Sequence, residues 1–418
     1  MTRMKESGID WIGQIPEEWE VVRLQDIGDY RKGPFGSAIT IDMFIEKSPC
    51  SYKVYEQKNA IRGNCEIGEA YIPKSVYNNL KNFSVYPLDI IVSCAGTIGK
   101  CYILPEDCEQ GIINQALMRV RVNKSVNLEY FLYIFDIVLS YAAIKYSNGS
   151  AIKNIPPFNV LNKLRVTLPS NIEQHQIVNY LDKKTAQLDK VKSLLEEQIQ
   201  KLKDYRASLI YETVTKGLDK NVPMKYSGID WIGQVPEGWG VSRLKYYFDI
   251  YAGGDIDERN TVEEYTESHP YPVLSNSLEN DGVLGYTNKY RFKNNCVTVT
   301  GRGDVGKAVY RNIKFYPVVR LLVCVPKSQV DCRFVTYWIN SAIIEKNQTA
   351  VSQLTIQMLG ELIFTNVPYV EQKKIADFLD EKTVQIDKLI QIKNQQIKNI
   401  NKQRQTLIYD YVTGKRRV

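Results

Sequence analysis

The strongest constraint on the fold is an internal repeat, because the chain contains two copies of one framework. The segment Ser7–Trp19 returns 220 positions later as Ser227–Trp239, with only two substitutions. A second element, Leu181–Lys190, returns as Leu379–Lys388 at an offset of 198 positions. The residues between these landmarks match only in scattered places. A duplicated framework with two diverged inserts predicts a protein that holds two different binding domains at a fixed separation.

Length and composition limit the class of protein. The chain has 418 residues, too many for one ordinary hydrophobic core, and the repeat divides it into parts of roughly 200 residues. A hydrophobic content of 44% is typical of soluble globular proteins. No apolar run reaches the roughly 18–20 residues of a membrane-spanning helix, and the first residues lack the apolar core of a signal peptide. The sequence therefore predicts a cytoplasmic protein without a membrane partner.

Residue types that carry metal or catalytic chemistry are scarce. The two histidines, His175 and His269, lie in different halves, and none of the eight cysteines stands in a Cys-x-x-Cys pair. The cysteines are therefore predicted to be reduced and mostly buried, with no metal site. The net charge of +7, from 54 basic and 47 acidic residues, is compatible with nucleic acid binding without requiring it.

Two long helices are predicted, at about residues 173–216 and 371–413. In each, apolar residues follow a four-three spacing that forms a single stripe. The predicted packing residues are Leu181, Leu188, Val191, Leu195, Leu202, Leu209, Leu379, Ile386, Leu389, Ile400 and Leu407. Polar residues interrupt the two stripes at equivalent places, which are Lys184, Gln198, Lys382 and Gln396. Matching interruptions favour pairing of the two helices with each other, since polar residues in a seam fix its register. The alternative is that each helix packs only on its own domain.

The segments before the helices have a different character. Short β-branched runs such as Asp89–Cys94, Leu117–Val122 and Cys296–Thr300 are bounded by Gly, Asn and Pro, which predicts strands. Short helices are predicted at about 128–141 and 333–345. The predicted fold class is therefore α/β (α+β), with two mixed α/β domains and two long helices. The boundaries are 1–168 for the first domain, 169–217 for the first helix, 218–367 for the second domain and 368–418 for the second helix.

Two glycine-rich segments follow predicted strands. Gly301–Gly306 has the spacing of a dinucleotide-binding motif, but the sequence after it continues as a strand instead of opening a phosphate-binding helix. The first half has Gly96–Lys100 at the matching place. Both segments are therefore predicted to be glycine hairpins. Their cations Lys100, Arg302 and Lys307 are candidate contacts to a DNA groove or to phosphates.

Three polar segments supply the other candidate DNA-binding residues. Tyr30–Ser37 combines cations, aromatic rings and glycines in a turn that can bring Arg or Lys to phosphates and base edges. Asn148–Asn154 and Gln348–Gln353 are polar loops near the ends of the inserts. The candidates are Arg31, Lys32, Ser37, Lys153, Gln348 and Gln353. Ordinary solvated loops are the alternative in each case.

No catalytic motif is complete. Asn154–Phe158 resembles the Asn-Pro-Pro-aromatic loop of adenine methyltransferases, but Ile155 breaks the spacing and no glycine-rich cofactor strand precedes it. The chain is therefore predicted to be non-catalytic and to bind no cofactor or metal. The paired tryptophans of the repeated segment are predicted to be structural.

The order of these elements resembles the specificity subunit of type I restriction–modification systems, over essentially the whole chain. A Trp-Ile-Gly-x-x-Pro-x-x-Trp opening, a Gly-x-x-Gly-Lys hairpin and a proline-preceded Glu-Gln entry into a long helix each occur twice. In the first half they are Trp11–Trp19, Gly96–Lys100, Pro169 with Glu173 and Gln174, and Ile210–Thr215 at the helix end. In the second half they are Trp231–Trp239, Gly303–Lys307, Glu371 with Gln372, and Ile408–Thr413. Pro368 precedes Glu371 by three positions instead of four, which shifts the helix entry by one residue.

The resemblance implies a non-catalytic, DNA-binding specificity subunit. Each domain would be a target recognition domain for one half of a bipartite, asymmetric sequence in double-stranded DNA. The helices would pair antiparallel as a coiled-coil spacer with pseudo-twofold symmetry. Two methyltransferase subunits would dock on this frame and methylate adenine N6, and restriction subunits could join to cleave unmethylated DNA. These partners would bind S-adenosylmethionine, ATP and Mg²⁺.

Two alternative functions stay open at the level of sequence. One is the DNA-binding subunit of a related bifunctional restriction system with catalysis in a separate chain. The other is a coiled-coil adaptor that binds no DNA. The adaptor predicts no salt-sensitive DNA binding, whereas phosphate contacts impose a steep salt dependence.

Overall fold

The computed structural model describes residues 3–145, 158–342 and 353–418. The chain forms two compact units, unit 1 from Met1–Ser193 with Ile397–Val418 and unit 2 from Leu194–Gln396. The boundary falls inside both long helices, so that each unit contains one insert and part of each helix. The predicted division gives two domains and two helices as consecutive segments of the chain. Each compact unit instead combines one domain with parts of both helices.

Unit 1 contains two four-stranded sheets among its described residues. One has the order β4-β11-β8-β9 and is antiparallel, and the other has the order β6-β5-β10-β7. The strands are β1 (Met4–Glu6), β2 (Gln14–Pro16), β3 (Glu20–Arg23), β4 (Gly28–Lys32), β5 (Ser51–Tyr55), β6 (Tyr71–Pro73), β7 (Ser84–Val85), β8 (Ile90–Ser93), β9 (Cys101–Ile103), β10 (Gly111–Ile113), β11 (Leu117–Val122) and β12 (Arg165–Leu168). The helices are α1 (Leu24–Ile27), α2 (Gln57–Arg62), α3 (Lys74–Asn79), α4 (Leu128–Lys145), α5 (Phe158–Leu161) and α6 (Asn171–Lys216), which continues into unit 2.

Unit 2 repeats this arrangement with a shorter insert. Its two four-stranded sheets have the orders β16-β23-β20-β21 and β17-β19-β18-β22. The strands are β13 (Met224–Tyr226), β14 (Gln234–Pro236), β15 (Gly240–Arg243), β16 (Phe248–Ala252), β17 (Thr261–Val262), β18 (Tyr271–Leu274), β19 (Val283–Thr287), β20 (Cys296–Thr300), β21 (Ala308–Arg311), β22 (Tyr316–Pro317), β23 (Leu321–Pro326) and β24 (Ile363–Asn366). The helices are α7 (Cys332–Ser341), α8 (Ile356–Gly360) and α9 (Tyr369–Val412), which ends in unit 1.

The central strands are apolar on both faces because both faces are covered. In β8, Ile90 and Val92 face a core that includes Phe131 on α4, whereas Ile91 faces a second core with Tyr55. A strand buried on both sides reads as a continuous apolar run without alternation. The strand character predicted for Asp89–Cys94 is therefore confirmed, and the mixed α/β class of each domain with it.

Each long helix begins on its own domain and ends in the core of the other unit. In unit 1, Leu181 near the start of α6 and Val412 at the end of α9 share a core with Trp19. In unit 2, Leu379 and Val214 occupy the equivalent places. The predicted pairing of the two helices is therefore confirmed, and the alternative that each helix packs only on its own domain is wrong.

Within each unit the two helices run antiparallel. In unit 1, the rings of Tyr180 and Tyr411 lie 4.5 Å apart and Arg404 is paired with Asp189 at 3.6 Å. In unit 2 the equivalent ion pair joins Arg206 to Asp387 at 3.2 Å, and Lys393 Nζ donates to Gln198 Oε1 at 2.6 Å. The sequence numbers rise along one helix as they fall along the other, which defines the antiparallel direction.

The position of the seam corrects two predicted packing residues. Val191 and Leu389 are 46% and 47% exposed, so their assignment to the seam is wrong. The other nine predicted packing residues are buried or half-buried. The four-three progression continues instead through three polar residues, Thr185, Lys192 and Thr383. It also includes three isoleucines that were not predicted, which are Ile199, Ile390 and Ile397. Because the seam accepts Thr and Lys, its true path could not be followed from apolar residues alone.

Candidate nucleic-acid interface

The repeated tryptophan segment joins each domain to the long helices. In unit 1, Trp19 Nε1 donates to Glu173 Oε2 at 2.9 Å, and the Tyr409 hydroxyl donates to the carbonyl oxygen of Trp11 at 2.6 Å. The same contacts recur in unit 2, from Trp239 to Glu371 at 3.0 Å and from Tyr211 to Trp231 at 2.6 Å. The repeat therefore encodes helix docking, in agreement with the structural role predicted for the tryptophans.

The two glycine-rich segments are hairpins with the same internal hydrogen bonds. Lys100 N–H donates to Ser93 Oγ at 3.0 Å, and Lys307 N–H donates to Thr300 Oγ1 at 2.9 Å. Strands β20 and β21 pair antiparallel on either side of the second hairpin. A dinucleotide fold is therefore excluded for Gly301–Gly306, because no helix follows it.

Several candidate residues of unit 1 lie at one end of its antiparallel sheet. Leu117 pairs with Ser93 and Met118 with Lys32, so the chain leaves β4 and β8 at the same end. We call this the loop end of unit 1, formed by residues 31–37, 94–100 and 114–116. A Cβ atom on Gly33 would lie 1.8 Å from the Asn114 carbonyl oxygen, so only glycine fits where these loops cross.

The cations at the loop end of unit 1 are available to a ligand. Arg31, Lys32 and Lys100 are exposed, as is Ser37, and none of the three cations forms a salt bridge with a described residue. Arg119, on the neighbouring strand, differs because it is buried and paired with Asp29. Exposed, unpaired cations are the groups that can neutralise phosphates at little desolvation cost.

Unit 2 has an equivalent loop end, formed by residues 252–256, 301–307, 318–320 and 353. A Cβ atom on Gly253 would lie 2.0 Å from the Val318 carbonyl oxygen, which repeats the crossing at Gly33. Gln353 Oε1 accepts a hydrogen bond from Arg320 Nη1 at 3.2 Å. The next residue, Leu354, donates its N–H to the carbonyl oxygen of Gly301 at 3.0 Å, and Gly301 directly precedes Arg302. The structure therefore brings the predicted residues Arg302 and Gln353 together.

Arg320 is a candidate that sequence reasoning missed. Its backbone has a φ of 75°, in the left-handed region that favours glycine. Non-glycine residues are held in this region where the surroundings enforce it, and such residues cluster at functional sites. A single sequence gives no signal for a left-handed arginine, so only the structure identifies it.

Unit 2 also carries a basic patch that the sequence did not reveal. We define it as Lys289, Arg291, Lys293 and Lys314, on segments 288–295 and 312–315. Arg291 N–H donates to the Phe315 carbonyl oxygen at 3.1 Å, which holds the two segments side by side. All four cations are exposed, neither segment contains an acidic residue, and none of the four forms a salt bridge with a described residue. A Cβ atom on Gly254 would lie 3.4 Å from Arg291 Nη1, so the patch borders the loop end.

The remaining predicted residues divide into two groups. Lys153 and Gln348 lie outside the described residues, as does most of the Asn154–Phe158 motif. Lys100 and Lys307 line grooves between the domain and the long helices, with volumes of about 460 Å³ in unit 1 and 1070 Å³ in unit 2. Lys100 and Lys307 therefore belong to the hairpins and also line these grooves.

The two grooves share most of their polar framework. In unit 1 the Tyr133 hydroxyl donates to Asp182 at 2.6 Å, and in unit 2 the Tyr337 hydroxyl donates to Asp380 at 2.8 Å. Arg404 and Arg206 line the equivalent walls. The grooves therefore share a tyrosine, an aspartate and an arginine, although Glu129 in the groove of unit 1 stands where unit 2 has Arg333.

Asp136 in the groove of unit 1 stands where unit 2 has Asn340, and the difference predicts a pH effect. Asn340 accepts from Ala308 N–H and donates to Ala308 O, both at 2.9 Å. Withdrawal from water raises the pKa of Asp136, against the attraction of Arg404 and Lys100. When folding raises the pKa of a carboxyl group, the folded state loses stability as the pH rises through that pKa. We expect Asp136→Asn to stabilise unit 1 slightly at pH 7, since the side chain of Asp136 still reaches water, which screens part of the effect.

Hydrogen exchange of unit 1 across pH measures this effect. The gain from Asp136→Asn should shrink towards pH 3, where the carboxyl is protonated in both states. The reciprocal variant Asn340→Asp should destabilise unit 2 at pH 7. A loss of stability in Asp136→Asn at neutral pH would contradict the prediction.

The described part of the chain offers no identifiable metal or reactive-thiol site at this surface. All eight cysteines are free, three are buried, and Cys50 is exposed. Burial raises the pKa of Cys101 and of Cys332 to about 12, so both thiols stay protonated at neutral pH. Across residues 3–145, 158–342 and 353–418, no three His, Cys, Asp or Glu side chains are grouped to hold a metal ion. None of the helices described there is long and apolar enough to cross a membrane.

The fold is shared by two solved structures. A chain from a structure on complex assembly and conformational transition of the type I R-M system superposes with a TM-score of 0.74 at 15% identity. That match covers 95% of this chain and 98% of the other. The HsdS subunit from Thermoanaerobacter tengcongensis gives a TM-score of 0.54 at 15% identity, covering 96% of this chain and 98% of that subunit.

Sequence comparison assigns the family. The model of the type I restriction modification DNA specificity domain matches residues 16–203 and 236–402. The chain therefore belongs to the type I restriction–modification DNA specificity family and carries two of its domains. The type I restriction enzyme MjaVIII specificity subunit of Methanocaldococcus jannaschii is 23% identical, over 97% of this chain and 94% of that protein. S.MpnORF89P of Mycoplasma pneumoniae, named as a type I specificity subunit, is 32% identical over 28% of this chain, and the match spans only 35% of that protein.

Proposed function

We propose that this chain is the DNA-recognition subunit of a type I restriction–modification complex. Each unit would bind one half of a bipartite, asymmetric sequence in double-stranded DNA through its loop end. The observation that carries the proposal is the placement of exposed cations at the same end of the same sheet in both units, beside different loops. They are Arg31 and Lys32 in unit 1 and Arg302 in unit 2, and none forms a salt bridge with a described residue. Phosphate contacts position such a protein on DNA, and differing loops at base edges give each unit its own specificity.

The chain would supply specificity and leave catalysis to its partners in the cytoplasm. The framework of helix seam, tryptophan docking and groove occurs twice with matching contacts. Two equivalent surfaces fit two copies of one partner, which supports two methyltransferase subunits that use S-adenosylmethionine. Restriction subunits that use ATP and Mg²⁺ could complete the complex.

A map of N6-methyladenine in the source cell, with this gene intact and disrupted, tests the proposal. Loss of one bipartite, asymmetric motif on disruption is the expected result, and it would also define the target sequence. An unchanged map combined with no salt-sensitive DNA binding in a gel shift would favour the adaptor alternative. A related bifunctional system would show the same motif loss, with catalysis carried by a separate chain.

The basic patch of unit 2 predicts a change in salt dependence. Replacing Lys289, Arg291, Lys293 and Lys314 by glutamine should lower the slope of log K against log salt by about 0.9 for each phosphate that the variant no longer neutralises. Affinity for target and random duplexes should fall nearly equally, because phosphate contacts carry no sequence information. Gel shifts over a salt series measure both quantities.

A matched control separates local contacts from net charge. Four exposed lysines on the long helices of unit 2, namely Lys203, Lys373, Lys374 and Lys388, are replaced by glutamine in the control variant. This variant removes the same charge away from the patch and should keep the wild-type slope. Equal slopes for both variants and the wild type would show that the patch does not contact phosphates.

A further inference from the structure

The loop end of unit 1 exposes an aromatic ring that the fold does not use. Phe35 is 90% exposed, whereas most large apolar residues of the unit lie in its cores. Single exposed apolar residues are common on protein surfaces, so exposure alone shows nothing. The surroundings of Phe35 indicate a binding role, because the segment that carries the ring is fixed and follows two exposed cations.

The segment is held on both sides of Phe35. On one side, Gly33 N–H donates to the Leu117 carbonyl oxygen at 2.9 Å, and Gly33 packs against the Asn114 backbone. On the other side, Ile39 is buried in a core of unit 1. Between them, Pro34 restricts the backbone, and Ala38 N–H donates to the Phe35 carbonyl oxygen at 2.8 Å in a 3-10 turn. The exposed ring is therefore presented on a short, ordered turn.

The charges beside the ring indicate what it meets. Arg31 and Lys32 are exposed at the end of β4, immediately before the turn, and neither forms a salt bridge with a described residue. A projecting apolar ring next to unpaired cations suits a surface that is anionic outside and stacked inside. Double-stranded DNA is such a surface, since apolar side chains inserted between base steps unstack and kink it while cations hold the phosphates.

We infer that Phe35 is a wedge that inserts at a base step of the half-site bound by unit 1 and kinks the DNA there. This inference rests on the proposed DNA-recognition function. At the equivalent position of unit 2, two residues after Gly253, Asp255 stands in place of the ring, and the apolar residues of that loop end, Ile256 and Val319, are only 37% and 44% exposed. Unit 1 therefore deforms its half-site, whereas unit 2 binds with the basic patch beside its loop end. Specificity in unit 1 then includes the ease with which a base step unstacks, in addition to direct base contacts.

The test uses the full-length chain and duplexes that carry the motif defined by the methylation map. 2-Aminopurine is placed at successive positions of the first half-site, and its fluorescence reports unstacking. Wild type should raise the signal at one step. Phe35→Ala should abolish that rise and weaken target binding roughly ten- to hundredfold, because the ring no longer buries apolar area against the bases. Phe35→Leu should retain most of the signal, since leucine is also a wedge residue.

Controls assign any failure to its source. Ile172→Ala removes another apolar side chain of unit 1, 74% exposed on α6, and should leave binding and fluorescence unchanged. The salt slope of Phe35→Ala should equal that of wild type, because no phosphate contact is removed. Wild-type fluorescence and affinity in Phe35→Ala would overturn the wedge while leaving the proposed function intact. Absence of DNA binding by the wild type would overturn the proposed function itself. Loss of methyltransferase binding by Phe35→Ala with unchanged DNA fluorescence would make Phe35 a protein contact and overturn the wedge.

Discussion

Val412→Asp, near the end of the chain, is expected to unfold unit 1 and to leave unit 2 folded. Val412 has 0% exposure and shares a core with Trp19 and Leu181. Its carbonyl oxygen accepts hydrogen bonds from Thr167 Oγ1 at 2.9 Å and from the Tyr130 hydroxyl at 3.2 Å. A buried, unpaired carboxylate at this point should destabilise unit 1 by about 4 kcal/mol or more. The substitution acts on a domain that lies more than two hundred residues earlier in the chain.

Hydrogen exchange resolved along the chain measures the effect on each unit separately. In Val412→Asp, the amides of β8 and β11 should lose protection, and those of β20 and β23 should keep it. The matched variant Val214→Asp, at the equivalent position of α6, should give the reverse pattern because Val214 lies in the core of unit 2. Thr406→Asp, on an exposed position of the same helix end as Val412, should change neither unit. Equal loss of protection in both units for Val412→Asp would contradict the assignment of the helix ends.

Insertion of seven residues into each long helix is expected to widen the gap between the two half-sites. The insertions follow Gln198 and Gln396, which are exposed and equivalent in the repeat. Seven residues of helix add about 10 Å at 1.5 Å per residue, or up to about 3 base pairs at 3.4 Å per step. The four-three seam returns to the same register after seven residues, so the helices should still pair. A methylation map of cells carrying the variant measures the new spacing.

A shorter insertion provides the control for register. Two residues added at the same places rotate the seam by about 200°, which turns apolar positions towards water. This variant should lose thermal stability and methylation instead of gaining a new spacing. An unchanged motif in the seven-residue variant would show that the helices do not set the gap.

The repeat explains why so much of the fold could be predicted from one sequence. Two copies of the framework identified the domains, and the runs Asp89–Cys94 and Cys296–Thr300 gave strands because burial on both faces demands apolar residues. The glycine hairpins were also predictable, since the chain after Gly306 continues with strand-forming residues. Each of these features depends on residues close together in the chain, so the sequence was sufficient to predict them.

The path of the helix seam shows where such reasoning fails. Val191 and Leu389 were predicted as packing residues because they are apolar and near the stripe, yet both are exposed. The seam passes through Lys192 and Thr185 instead. A long amphipathic side chain can cover apolar surface with its methylene groups, so chemical type does not fix which side of a helix is buried.

The candidate interface was predictable only in part, for a similar reason. Arg31 and Lys32 stand out because they adjoin glycines in one short segment. The basic patch escaped notice because its cations come from two segments that are joined by the contact between Arg291 and Phe315. Arg320 escaped notice because no sequence pattern marks an arginine with a left-handed backbone.

The sequence by itself determined the duplication, the mixed α/β class, the two long helices and the family resemblance, since each is recorded in residues close together or in an internal repeat. Only the tertiary structure decided which parts of the chain complete each unit, where the seam runs and which loops share the loop end of a sheet. Those features depend on contacts between residues far apart in sequence, such as Val412 with Thr167. The free energy of such contacts comes from burial and hydrogen bonding in the folded state, to which no local pattern corresponds.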